Sequence, residues 1–181
     1  MHRSLAELEA AIDEIQGSPP DDGRLELIVR RPDVEAREVL DEGEIDELDG
    51  LLGDCWSTRP SSTTRDGSAN PDAQITLTNA RSMAAIAGDR ARWPLAGDQL
   101  YVDLDLGEAN LPPGTRLLIG AAVLEVTALP HRGCGKFLRR FGKDAQRFVN
   151  SPVGRELNLR GINTRVVAGG TVRIGDTVRK A

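Results

Sequence analysis

The chain is poor in the side chains from which many metal and nucleic-acid sites are built. Its 181 residues include two histidines, two cysteines and 3% aromatic residues. With only His2 and His131 beside Cys55 and Cys134, a cysteine–histidine zinc site is not expected. So few aromatic rings argue against a base-stacking platform, and no nucleic-acid partner is expected. No run approaches the roughly 18 consecutive apolar residues of a membrane span. The opening residues, Met1 to Glu7, turn acidic at once and lack the apolar core of a signal peptide. The expectation is a cytoplasmic protein with no membrane partner. Cys55 and Cys134 are far apart in sequence, and in that setting a disulfide between them is not expected.

What is present is charge, unevenly spread. The net charge is −5, but residues 1–56 carry a balance of −12 and residues 131–165 one of +7. A basic segment on an acidic chain fits a localised site for an anionic ligand. It fits equally an acidic N-terminal part that pairs with the basic part, and charge counting does not choose.

Ser4-Leu5-Ala6-Glu7 has capping-box spacing and opens an amphipathic helix that Gly17 to Pro20 ends. We read 1–19 as this helix and a linker, an appendage or the contact of a homodimer, and 20–181 as a single domain. Leu25, Leu27 and Val29 alternate as the inward side of a strand. Ile45, Leu48 and Leu52 stand at helix-like spacing within acidic 41–52, and Ser57 to Pro71 reads as a long loop. Strands are expected at 74–78, 99–106, 116–127, 162–167 and 171–174, the last two as a hairpin through Ala168-Gly169-Gly170. Helices are expected at 80–87 and around Phe137, Phe141, Ala145 and Phe148, where Gly142 threatens a split. The fold class is mainly β with interspersed helices (α+β), an antiparallel barrel-like domain.

The chemistry concentrates in Leu129-Pro130-His131-Arg132-Gly133-Cys134-Gly135-Lys136-Phe137-Leu138-Arg139-Arg140. Gly133 and Gly135 leave the sulfur sterically open, and His131, Arg132, Lys136 and Arg139 bring cations near it. Such surroundings favour the thiolate, the form that ligates metals or attacks sulfur. A free cysteine is more often buried and inert, but this flank is glycine and charge.

From about Leu95 to Val178 the order of short motifs resembles the MOSC domain, named for the C-terminal domain of molybdenum cofactor sulfurase. The residues that carry the likeness are Gly107-Glu108-Ala109-Asn110, Pro130 to Phe137, Phe141-Gly142, Gly161 to Val166 and Gly175-Asp176. Many relatives have Gly-Glu-Asn at the first motif and proline where Gly133 stands. The resemblance implies a β-rich fold in which Cys134 carries sulfur or ligates the molybdenum of a pterin cofactor. It also implies reduction of N-hydroxylated compounds with electrons from a separate reductase. Lys136, Arg139, Arg140 and Arg165 are then candidates for the pterin phosphate, with His131 and Arg132 beside them and Glu108 and Asn110 for the pterin edge. The family is associated also with pyridoxal phosphate, which is not expected here because no lysine has a recognisable Schiff-base setting. Three functions stay open: a molybdenum-cofactor protein, a persulfide carrier on Cys134, and a non-catalytic anion-binding or interaction domain with an incidental cysteine.

Overall fold

In a computed structural model, which describes residues 2–61 and 63–181, the chain winds a closed barrel and packs its helices against one side of it. The barrel strands are β1 (Gly23–Arg30), β5 (Ile75–Asn79), β6 (Leu100–Asp103), β7 (Arg116–Ile119), β8 (Ala122–Val126), β9 (Ile162–Ala168) and β11 (Thr177–Lys180). Their order round the barrel is β1-β11-β7-β8-β9-β5-β6, and β6 pairs again with β1. One neighbouring pair, β5 with β6, is parallel, so the barrel is mixed and not wholly antiparallel. The helix α3 (Ala80–Ala87) makes that parallel crossover, capped by Asn79, whose side chain accepts from the Ser82 amide. The edge strand β2 (Glu38–Leu40) adds to β1. A three-stranded sheet holds β3 (Glu42–Asp46), β4 (Gly50–Leu51) and β10 (Gly170–Arg173).

Two cores result. Leu25, Ile28, Leu77, Leu100, Val102, Leu117, Leu124 and Val178 belong to the core that fills the barrel. Leu27, Val29 and Tyr101 point the other way, into a second core under the helices. The expected alternation of Leu25, Leu27 and Val29 on one face is therefore corrected. A bulge between Leu25 and Leu27 shifts the register, and one extra residue moves every later side chain to the opposite face. The second core takes Phe137, Phe141 and Phe148 from α4 (Gly135–Asn150), with Trp93 and Met83. Leu8 and Ile15 join it from α1 (Leu5–Glu9) and α2 (Ile12–Gln16), so the apolar face of the N-terminal helices is covered by this chain's own α3 and α4. The Ser4–Glu7 capping box forms as its spacing predicts.

Two further expectations change. The acidic stretch 41–52 is the β3–β4 hairpin, with Ile45 buried and Leu48 83% exposed at the turn. Strands β9 and β10 do not form a hairpin: β9 pairs with β8 and β5, and β10 with β3. Close packing explains the break, since a Cβ on Gly169 would lie 2.6 Å from the Ile45 carbonyl and one on Gly170 2.7 Å from Ala121. Gly142 kinks α4 with φ 90° and ψ 170°, as its sequence position suggests. Among the described residues no helix is long and apolar enough to cross a membrane.

Candidate functional site

Cys134 is the residue immediately before α4, in an extended conformation (φ −90°, ψ −179°), and its side chain is exposed. The loop that delivers it is clamped to the far end of the same helix. Asn150 accepts from the Gly133 amide (3.0 Å) and donates to the Gly133 carbonyl (2.9 Å). A Cβ on Gly133 would meet Val149 at 2.8 Å, whereas one on Gly135 would meet only the end of Arg139 at 3.8 Å. Gly133 thus serves close packing, and Gly135 keeps the sulfur open. The amides of Phe137 and Lys136 face the sulfur without closing a capping hydrogen bond. Partial burial pushes the thiol up, but those amides and the Arg160 guanidinium outweigh it, so Cys134 titrates below the ordinary thiol range.

The sulfur looks into a cleft of about 460 Å³. Its cations are Arg31, Arg37, Arg59, Lys136, Arg140 and Arg160, and its apolar surface includes Trp56 and Phe137. Arg31 and Asp54 form a buried two-pronged pair, with Nε to Oδ2 at 2.8 Å and Nη2 to Oδ1 at 2.7 Å. Arg31 also donates to the Gly97 carbonyl (2.9 Å), and Asp54 keeps it charged despite its burial. Arg160, 6% exposed, lies over the Phe137 ring at 5.0 Å and donates to Asp98 (2.6 Å) and the Ala96 carbonyl (2.9 Å). The next residue holds it in place: Gly161 adopts φ +107°, and a Cβ there would sit 2.2 Å from the Leu77 carbonyl.

His131 also lines the cleft, but not as a cation. Its side chain is 17% exposed, its Nδ1 is sealed 3.6 Å from Asp98 Oδ1, and neither atom has a hydrogen-bond partner among the described residues. Burial, then Arg160 and Arg31, push its pKa down to about 3 against the opposing pull of Asp98. The imidazole is therefore neutral at physiological pH.

The structure gathers His131, Cys134, Lys136 and Arg140 in this one cleft. Arg132 and Glu108 instead line a second cleft of about 390 Å³, which shares His131 with the first. Asn110 is a turn residue, donating to the Pro20 and Asp105 carbonyls and accepting from Lys180. Arg165 pairs with Glu125 across β8 and β9, and Arg139 is exposed and lines neither cleft. Sequence reasoning missed Arg31, Arg37, Arg59, Arg160 and Asp98. Arg31-Pro32 and Gly53-Asp54 carry no sign in sequence that they face Cys134.

The family model described as the MOSC domain matches residues 64–179, well over half of the chain. The chain belongs to the MOSC domain family. Among solved structures it is similar to the YUAD protein from Bacillus subtilis, at 17% identity and a TM-score of 0.59 over 86% of this chain and 93% of that one. It is similar also to YiiM from Escherichia coli, at 22% identity and a TM-score of 0.56 over 87% of this chain and 69% of that one. At those identities the likeness is one of fold. No curated protein matches the chain. Within this MOSC domain, Cys134, His131, Lys136, Arg140 and Arg160 lie inside the matched segment, whereas Arg31, Arg37, Trp56 and Arg59 precede it.

Proposed function

We propose that this MOSC domain binds a molybdenum-bearing pterin cofactor in the Cys134 cleft, with the Cys134 thiolate as its protein ligand to the metal. The observation that carries the reading is an exposed sulfur, titrating below the ordinary range, in a cleft with six cations. The donor set fits the group: a soft thiolate suits an oxo-metal centre, and the surrounding guanidinium groups suit a phosphate. Among the described residues no three His, Cys, Asp or Glu side chains are placed to hold a metal ion. The remaining ligands would therefore come with the cofactor. Cys134 would hold the metal, Lys136 and the cleft arginines would counter the negative charge, and neutral His131 would offer a hydrogen bond. When bound, the group supplies two-electron chemistry of the kind that reduces N-hydroxylated compounds.

Electrons for such a reaction come from a separate reductase. Arg132, Arg139, Lys143 and Arg147 are exposed around Cys134 and along α4, with no carboxylate within 4.0 Å among the described residues. A basic face of this kind steers an acidic donor. A second reading, persulfide carriage on Cys134, is favoured by the same open, readily ionised thiol. The two separate by what the protein releases. Protein made in a cofactor-competent host and then acid-denatured should yield a fluorescent pterin oxidation product in near-stoichiometric amount. Yielding no pterin, but a reductant-labile gain of one sulfur on Cys134, would replace the first reading with the second.

A further inference from the structure

The second cleft holds about 390 Å³ and shares only His131 with the one beside Cys134. Four charged side chains line it, Glu108, Arg132, Arg155 and Glu156, two of each sign. All four are exposed, and none has an opposite charge within 4.0 Å among the described residues. Elsewhere opposed charges that share a surface do meet: Arg116 and Arg165 at Glu125, Lys136 and Arg140 at Glu35, Arg173 at Glu42. The backbone of this cleft is free as well. Residues 128–132 all line it, and the amides of Ala128, Leu129, His131 and Arg132 donate to no group among the described residues. The Ala128, Pro130, His131 and Arg132 carbonyls accept from none. Only the groups next to them are engaged: Asn163 donates to the Leu129 carbonyl (2.9 Å), and Asn150 accepts from the Gly133 amide.

We propose that this second cleft binds a short peptide with free termini, of di- or tripeptide size, laid along residues 128–132. A peptide added to an unpaired segment gains main-chain hydrogen bonds, and the free N–H and C=O groups of 128–132 supply them. Its ammonium group faces Glu108 and Glu156, and its carboxylate faces Arg132 and Arg155. The two glutamates are held together, since the Glu108 amide donates to the Glu156 carbonyl at 3.0 Å. The arginines stand on fixed backbone too. Arg132 precedes the Gly133 that Asn150 clamps, and Arg155 lies on α5 (Pro152–Glu156), which Ser151 caps. Opposite charges more than 4.0 Å apart suit a ligand whose own charges are separated. Two extended residues span about 7 Å, whereas the two charged groups of a single amino acid share one carbon. Leu111, Val126, Leu129 and Ile162 give the cleft an apolar side for the ligand's side chains. Pro113, Pro130 and Pro152 fix its backbone ahead of binding, which lowers the cost of ordering it. An anion alone, such as a phosphate, would leave the two glutamates facing like charge, so the cleft discriminates against it.

The proposal goes beyond the cofactor reading and needs neither metal nor pterin, so either can fail without the other. Leu-Leu is titrated calorimetrically into the cofactor-free protein at low salt, beside N-acetyl-Leu-Leu, Leu-Leu amide and free leucine. Leu-Leu should bind, and blocking either terminus should weaken it about tenfold or more, the worth of one charge-assisted hydrogen bond. Glu108→Gln combined with Glu156→Gln should weaken Leu-Leu by about as much and leave N-acetyl-Leu-Leu unchanged. Arg132→Gln combined with Arg155→Gln should do the same to Leu-Leu and leave Leu-Leu amide unchanged. Arg139→Gln, outside both clefts, should bind Leu-Leu as wild type does. The four side chains are exposed and make no ion pair among the described residues, so both double variants should keep the thermal unfolding of wild type. Absence of Leu-Leu binding, or binding that both double variants leave intact or Arg139→Gln weakens equally, overturns the site. Blocked dipeptides that bind as tightly as Leu-Leu overturn the role of the charges. Leucine binding as tightly as Leu-Leu overturns the peptide assignment.

Discussion

Cys134 reads out a competition among burial, helix amides and one buried guanidinium. With Cys55→Ser isolating the signal, the pH for half-maximal alkylation of Cys134 should fall below the reference of about 8.5. Arg160→Gln should raise it, while Arg132→Gln, which alters a side chain of the other cleft, should leave it in place. A midpoint at or above the reference would remove the electrostatic argument for this sulfur. Stability should divide the site differently. Cys134 is exposed, so Cys134→Ala should change unfolding free energy by less than about 1 kcal/mol. Arg31→Ala strands a buried Asp54 and should cost about 3–5 kcal/mol by chemical denaturation. The sulfur was legible because its signal is local: glycine on both sides and cations within a few residues. Arg31, Arg37, Arg59 and Arg160 were not, because they reach the cleft from just past the end of β1, from two loops and from the approach to β9. Proximity in sequence also misled, since Arg165 sits in a basic segment yet faces Glu125 across the sheet.

At the scale of elements, period and capping were readable and pairing was not. Ser4 and Glu7 announce their helix, and the phenylalanines of α4 mark its buried face. The helix-like spacing of Ile45, Leu48 and Leu52 does not mark the β3–β4 hairpin, because Leu48 stands exposed at the turn and three residues over so short a run carry little periodic signal. The β1 bulge lies in the pairing with distant β6, and between β9 and β10 the glycines pass close to Ile45 and Ala121, partners that no local window contains. Gly142 is the sharpest test of an element. Its φ and ψ lie where only glycine is comfortable, so Gly142→Ala should cost about 1–3 kcal/mol in a denaturant titration. Gly135→Ala, in open space within the same helix, should stay within about 1 kcal/mol of wild type or gain slightly. Equal costs at the two glycines would contradict the kink.

Across the whole molecule, the acidic and basic halves do not neutralise one another. Between residues 1–56 and 131–165 the ion pairs among the described residues all run through Glu35, to Lys136 and Arg140. The basic segment keeps its field, and His131 feels it. Its folded pKa of about 3 lies below the unfolded value near 6.5, so the unfolded chain binds the extra proton between those limits. The corresponding stability is present above about pH 6.5 and is lost as pH falls toward 3, by up to roughly 1.4 kcal/mol per pH unit. In a His2→Gln background, the remaining imidazole should show no NMR titration between about pH 5 and 8. A midpoint near 6.5 would mean that the ring is neither sealed nor faced by the two guanidinium groups.

The central claim is that Cys134 holds molybdenum in this cleft, and elemental analysis tests it most directly. Wild type, Cys55→Ser and Cys134→Ser are purified from one cofactor-competent host and their molybdenum content is measured per chain. The account predicts near-stoichiometric metal in wild type and Cys55→Ser and a large loss in Cys134→Ser, with unchanged thermal unfolding of the cofactor-free proteins. Molybdenum absent from all three, or equal in all three, would contradict it.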